Sequence, residues 1–467
     1  MPYDRLSALD ASFLHLERLE TPMHVGALTV FEGESFFTPG GRFRIGAVRD
    51  LVASRLDRIP RFRKRLQTVP LDAGHPIWVD DDHFDIRQHV RLAALPSPGD
   101  RAQLLTLFER LQAQLLDRAR PLWELWFVEG VEDGHVALIQ KIHHSLVDGV
   151  SGVDVATVLL DVAPGVAVPD PVPWEPAAAP SPGRLLLDTL KEQVERPAAA
   201  VLRRGAAEPD GPPASDRLAH VARSIASLAG GGVAAPRTSL NRTVGRSRRF
   251  GCVRVPLDEV KTVRRTLGGT VNDVILAGVT GGLARLLGAR GELTPDLTLK
   301  AFCPVSVRDD AQRLQLGNRL SGMLVPLPVG EPDAGRQLAL VRAATEDLKD
   351  REQALGASAL LNLTELAAPT LLGLGARAAH HQPFFNLICT NVPGPQVPLY
   401  CLGGRMLEAY PMVPLSKNLS LGVAILSYCG YLHVGLLADR DLWPDLEVLE
   451  AGIDEAFSEL HKIAVER

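Results

Sequence analysis

A mixed α/β chain in two halves, with mixed sheets and flanking helices, is what the hydrophobic pattern predicts. Three observations lead there. Segments of period two alternate with segments of helical period in both halves of the chain. A stretch rich in Pro, Ala and Gly lies between the halves. The length, 467 residues, exceeds what one ordinary core needs and suits two domains with connections.

In the first half, His24 to Phe31 reads as a strand and Ala47 to Arg58 as an amphipathic helix. Arg101 to Leu116 reads as a second helix. Leu122 to Glu129 and His135 to His144 then form two strands, with Gly130-Val-Glu-Asp-Gly134 as a hairpin signal between them. A short helix over Val153 to Val162 closes this half. The punctuated stretch contains helical periodicity over Arg184 to Arg204 and Asp216 to Leu228, so it reads as a crossover linker with loose helices. The division is therefore 1–162, 163–245 and 246–467.

The second half repeats the plan. Phe250 to Val255 is a strand, Leu257 to Leu267 a helix, and Thr270 to Leu287 a longer helix with Thr270 as its cap and Asp273 in its first turn. Strands are expected at Leu297 to Pro304, Gly322 to Leu327, Phe385 to Thr390, Gly404 to Val413, Leu419 to Ser427 and Tyr431 to Ala438. Helices are expected at Ala334 to Lys349 and over 445–463. The two halves look like a degenerate duplication. The second has a comparable closing strand, but no His-His follows it, so one site per chain is expected.

Composition excludes several classes. A net charge of -5 gives no whole-molecule basis for binding nucleic acid. Cys252, Cys303, Cys389, Cys401 and Cys429 are scattered and form no CxxC, which supports neither a disulfide framework nor a zinc ribbon. The opening Met-Pro-Tyr-Asp-Arg-Leu-Ser lacks the basic-then-apolar pattern of a secretory leader, so a cytoplasmic location is the expectation. No uncharged apolar run reaches the roughly 18–20 residues that span a bilayer. Ala354 to Ala376 comes nearest, interrupted by Glu365 and broken by Pro369.

Of the 13 histidines, His143 and His144 have the best claim to chemistry, because they fall where a strand gives way to a loop. A neutral imidazole can take a proton from an alcohol. There is no Gly-x-Ser-x-Gly elbow and no phosphate-cradling Gly loop. Adjacent strand residues point to opposite faces, which disfavours a shared metal, and no metal is expected. The same alternation implies that one histidine faces the site while the other packs inward. Asp148 is placed to hold the loop, and Gly149 supplies freedom at the turn.

The run His143-His-Ser-Leu-Val-Asp-Gly149 resembles the HHxxxDG motif of the CoA-dependent acyltransferase superfamily. Leu9-Asp-Ala-Ser-Phe-Leu14, Pro22-Met-His-Val-Gly26, Pro121-Leu-Trp-Glu124, Asn272-Asp-Val-Ile-Leu-Ala277 and Asn391-Val-Pro-Gly-Pro395 narrow the resemblance to the bacterial wax ester synthase / acyl-CoA:diacylglycerol acyltransferase family. The resemblance implies two chloramphenicol-acetyltransferase-like domains forming a pseudo-dimer with an interdomain tunnel. It makes His144 the general base for direct attack of a hydroxyl on an acyl-CoA thioester, with His143 in support. Acyl-CoA is then a co-substrate, and no bound cofactor is expected. The acceptor is diacylglycerol, giving triacylglycerol, or a long-chain alcohol, giving a wax ester.

A thioester carbonyl becoming tetrahedral needs a donor for its oxyanion, and Asn272 and Thr390 are the candidates. Helix capping and packing is the competing role for Asn272-Asp273, and core packing the stronger role for Pro121-Leu-Trp123. Asn391 to Pro395 reads as a shaped turn. Asp148 is expected to pair with an arginine of the second half, Arg308 first. Lipid acceptors require peripheral contact with a membrane or lipid body. Arg61-Phe-Arg-Lys-Arg65 and Arg246-Ser-Arg-Arg249 are basic clusters open to lipid headgroups, CoA phosphates or an ordinary solvated role. Two alternatives stand beside this reading: a polyketide-derived or carrier-bound alcohol as acceptor, and a non-catalytic acyl-CoA- or lipid-binding paralogue.

Overall fold

The computed structural model describes residues 3–146, 158–204, 234–306, 320–355 and 384–467. Two six-stranded mixed sheets organise it, beside a small three-stranded sheet of β1 (Asp4–Arg5), β4 (Ile77–Asp80) and β3 (Lys64–Gln67). In the first large sheet, β2 (His24–Phe31) pairs antiparallel with β7 (Val136–His143). Strand β7 pairs antiparallel with β6 (Trp123–Glu129), which runs parallel to β5 (Val90–Ala94).

The second large sheet repeats this order. Strand β8 (Arg248–Pro256) pairs antiparallel with β15 (Tyr431–Asp439), and β15 with β14 (Leu421–Tyr428). Strand β14 then runs parallel to β11 (Leu387–Pro393). In this correspondence β15 stands where β7 stands, and Asp439 opposite Arg248 occupies the place of His143 opposite His24. The degenerate duplication is thus visible in strand order and direction, and the second copy has no histidine pair at this point. Strands β9 (Leu299–Ser306) and β10 (Leu320–Leu327) extend the second sheet.

The sequence reading does not anticipate one feature. Strands β12 (Tyr400–Cys401) and β13 (Gly404–Met412) come from the second half but complete the first sheet, through β13 against β2. Leu399, Cys401, Met406 and Ala409 accordingly belong to the same core as Phe31, Trp123 and Leu138. A further apolar cluster joins Leu104 and Phe108 to Phe250 and Leu437, so the halves share buried surface.

The helices cover the sheets as their periodicity implies. They are α1 (Ala8–Leu16), α2 (Ile45–Ala53), α3 (Ile86–His89), α4 (Arg101–Gln112), α5 (Pro182–Arg204), α6 (Leu257–Leu267), α7 (Val271–Ala289), α8 (Ala334–Leu355) and α9 (Leu446–Val465). Among the described residues only α7 is long and apolar enough to cross a membrane. It is mostly buried against α8 and α9 and serves as the core helix of the second sheet. The Asp216 to Leu228 helix, the first half of the Val153 to Val162 helix and most of Ala354 to Ala376 lie outside the described residues; of the rest of the second, only Val158 and Leu159 are helical.

Candidate active site

Strand β7 is buried along its whole length and delivers the two histidines to its end. The main chain there is held from both sides. His143 N–H donates to Leu122 O (2.9 Å), next to β6, and His144 N–H donates to Met23 O (2.8 Å), next to β2. Leu146 N–H then donates to His143 O at 2.9 Å, closing a turn. A strand end fixed to both neighbours gives the side chains little freedom.

The histidines differ as alternation requires. His143 is 1% exposed. Its Nδ1 accepts from the Ser145 N–H at 3.1 Å and lies 2.7 Å from Ser145 Oγ. A ring nitrogen that accepts an N–H is unprotonated, so the neutral ring carries its proton on Nε2. That Nε2 lies 3.3 Å from Glu17 Oε1. His144 is half-buried, with its ring stacked on Phe13 at 3.9 Å between centroids and 20° between planes. Among the described residues its Nδ1 is buried without a hydrogen-bond partner. Burial pushes its pKa from 6.5 down to about 4, because an imidazolium there would lose its hydration.

One short helix supplies both partners. The Ser7 hydroxyl caps α1 by accepting from Asp10 N–H. From α1, Phe13 covers His144, and Glu17 at its C-terminal cap reaches His143. Glu17 Oε1 also lies 3.4 Å from His24 Nε2 and accepts from Met23 N–H at 3.2 Å, while Oε2 is 2.8 Å from Arg118. The contacts to the two histidines are close but not well aligned, since neither Nε2 makes a good hydrogen bond. Burial alone would raise the Glu17 pKa. The histidines' N–H groups outweigh that and hold the carboxyl well below the usual range. His24 is pushed down to about 3 by burial. The sequence reading missed Glu17. Its available signal was proximity to the Leu9 to Leu14 run.

The second-half candidates fall elsewhere on the framework. Asn272 follows the Thr270 cap, and the Asp273 carboxylate accepts from Thr270 N–H (2.7 Å) and from Thr345 Oγ1 (2.7 Å). Capping and packing therefore account for Asp273. Asn272 Oδ1 accepts from Asn391 Nδ2 at 3.4 Å, tying the start of α7 to β11. Asn391 thus points toward the helix layer, and Thr390, its neighbour on β11, points to the opposite face. The two oxyanion candidates are not placed as a pair. Among the described residues neither hydrogen-bonds to the histidines. Asp148, Gly149 and Arg308 lie outside the described residues.

Several other expectations acquire a structural explanation. Trp123 is buried, donates from Nε1 to Phe62 O at 2.8 Å and stacks on His89 at 4.6 Å, which is core packing. The stretch from Asn391 is strand through Pro393, and the turn begins only at Gly394, a correction to the reading of the whole run as a turn. Both basic clusters are internally committed. Arg61 pairs with Asp4, Lys64 with Asp80, and Arg63 stacks on Trp174. Arg246 pairs with Glu20, Arg249 with Glu447, and Arg248 is buried on backbone carbonyls. Among the described residues, no group of three or more His, Cys, Asp or Glu side chains is arranged to hold a metal.

Two matched α/β halves with a histidine pair at one closing strand define a class: the two-domain fold of condensation domains and related acyl-transfer enzymes. Among solved structures the chain matches the first condensation domain of the CDA synthetase at 16% identity, TM-score 0.58, over 98% of this chain and 96% of that one. It matches the starter condensation domain of rhizomide synthetase, solved in complex with C8-CoA, at 14% identity, TM-score 0.59, over 99% and 95%. The match to a wax ester synthase/diacylglycerol acyltransferase from Marinobacter aquaeolei VT8 is stronger, at 29% identity and TM-score 0.71 over 99% and 100%.

The family model for the wax ester synthase/diacylglycerol acyltransferase catalytic domain matches residues 6–275, and that for the family's C-terminal domain matches 316–461. A putative diacylglycerol O-acyltransferase of Mycobacterium tuberculosis is 34% identical over 98% of this chain and 90% of its own. A probable one from the same species is 32% identical over 99% and 97%. The chain belongs to the wax ester synthase/diacylglycerol acyltransferase family, and it is an acyltransferase.

Proposed function

We propose that this enzyme transfers a long-chain acyl group from acyl-CoA to diacylglycerol, giving triacylglycerol, and accepts long-chain alcohols as well. The observation that carries the reading is His144, half-buried at the end of β7 with its ring held flat against Phe13. Its lowered pKa keeps it neutral at pH 7, so it is ready to accept a proton. The acceptor hydroxyl gives its proton to His144 as its oxygen attacks the thioester carbonyl carbon. The tetrahedral intermediate collapses, the C–S bond breaks, and the proton passes from His144 to the leaving CoA sulfur. An ester and free CoA result, without an acyl-enzyme.

His143 positions this base. Its Nδ1 accepts from Ser145 N–H, and its Nε2 faces the Glu17 carboxylate at 3.3 Å, so it has no free acceptor for a substrate proton. The contrast between His144, stacked on Phe13, and His143, whose Nδ1 is taken by Ser145 N–H, supports a division of labour between them. The diacylglycerol acceptor is supported by the named activity of the mycobacterial relatives, and acyl-CoA as co-substrate by the CoA complex of the condensation-domain neighbour. An assay of radiolabelled oleoyl-CoA with diolein or hexadecanol tests the reading. Wild type should turn over at least one acceptor, and His144→Ala should lose about 10²- to 10⁴-fold in kcat, the usual worth of a general base. Full turnover by the variant would remove His144 from the role. Inactivity of wild type toward both acceptors would point to another alcohol or to a binding paralogue.

A further inference from the structure

Lipid acceptors reside in a surface, and one face of this molecule has the chemistry of a lipid-docking face. Helix α5 uses Leu185 and Thr189 to pack on the small sheet, where Leu185 joins Val69, Ile77 and Val79 in a buried cluster. Its outer side leaves Leu187 61% and Leu190 45% exposed. Arg184 and Lys191 stand on that same side by helical spacing. The Arg184 side chain is 76% exposed, with a loose contact to Asp188 at 3.7 Å and the Tyr3 hydroxyl near by, and Lys191 has no ion pair among the described residues.

The Pro70–Asp72 turn lies against this helix, tied by a hydrogen bond from Gln193 to Ala73 O. At its tip Leu71 is 90% exposed and held at φ +60°, a left-handed conformation that leucine rarely adopts. A leucine kept in water at a strained tip, on a turn packed against a helix that exposes two more, is not explained by the packing of this chain.

We propose that α5 and the Leu71 turn form a docking face for an anionic lipid surface. The leucines enter the acyl boundary, and Arg184 and Lys191 lie at headgroup level, the arrangement of an interfacial helix. Charge complementarity selects the occupant: beside the exposed leucines Lys191 has no ion pair among the described residues, and Arg184 is only loosely held by Asp188 at 3.7 Å. The inference extends the proposed reaction by naming the surface through which a membrane-resident acceptor is reached. Vesicle binding requires no turnover, so it stands or falls separately.

Flotation of the full chain with phosphatidylcholine vesicles, with and without 30 mol% phosphatidylglycerol (about this fraction suffices for a surface potential), tests it. Wild type should float with the anionic vesicles. Leu71→Ser/Leu187→Ser/Leu190→Ser should lower partitioning at least tenfold, while Leu340→Ser, an exposed leucine on α8, should not. Arg184→Glu/Lys191→Glu should abolish the preference for anionic vesicles. Unchanged melting curves establish that the variants fold. Equal binding of the triple variant and wild type, or no binding by wild type, overturns the proposal. So does a wild-type dimer that the triple variant converts to monomer in light scattering, since that assigns the face to a second copy.

Discussion

Glu17, His24 and His144 are titratable groups beside one strand end whose charge states the fold has chosen. His24, lowered to about 3, and His144, lowered to about 4, are disfavoured as cations by burial. Glu17 is favoured as an anion. For a histidine with a depressed folded pKa the unfolded chain binds protons first. Stability is therefore lost as pH falls from the unfolded value of 6.5 toward about 4 and about 3. For Glu17 the stabilising contribution is present above its unfolded value of 4.5 and lost below it. Melting temperature should accordingly decline from about pH 6.5 downward and fall further below pH 4.5, where Glu17 adds its share. Glu17→Gln, which keeps the shape but not the charge, should lower the plateau by roughly 1.5–3 kcal/mol and remove the extra fall below pH 4.5. A melting temperature flat between pH 6.5 and 4 would contradict the assigned charge states.

At the scale of elements, the candidate site is built at a strand end. The His143-His144 end was legible in sequence because alternation is local: β6 and β7, with their hairpin, fall where the period-two runs are. The role of α1 was not legible. Its capping and its apolar spacing say helix, but nothing local says that it brackets a strand more than a hundred residues away (β7 begins at Val136). Oxyanion candidates suffered in the same way, since Asn272 and Thr390 are both near β11 yet lie on opposite sides of it. The crossing of β13 over β15 exposes another element-scale demand. A Cβ on Gly435 would sit 1.9 Å from Pro411 O, a backbone atom that cannot swing aside. Gly435→Ala should therefore destabilise by about 1–3 kcal/mol as an overpacked contact. Thermal unfolding matching wild type would show that the two strands separate more easily than their packing implies.

The whole molecule is held together by exchange between its halves. Strand β13 leaves the second half to pair with β2, and α4 of the first half packs along β8 of the second. Buried Glu109 on α4 accepts from Phe250 N–H at 2.8 Å and pairs with Arg440. Burial raises its pKa, so it is an interdomain link with some sensitivity to acid. Glu109→Ala leaves a buried N–H without a partner and should cost about 1–3 kcal/mol. If the link joins the halves as described, limited proteolysis between them should accelerate in the variant; unchanged cleavage would make Glu109 a local contact only. The amino-acid sequence by itself determined the longer strands and helices, the histidine pair, the asymmetry within it and the family, because periodicity, caps and motifs are short-range properties. Only the tertiary structure decided which carboxylate holds His143, which ring covers His144 and that residues 400–412 complete the first sheet. Those are contacts between distant segments, set by burial and strand pairing across the molecule, and no local pattern encodes them.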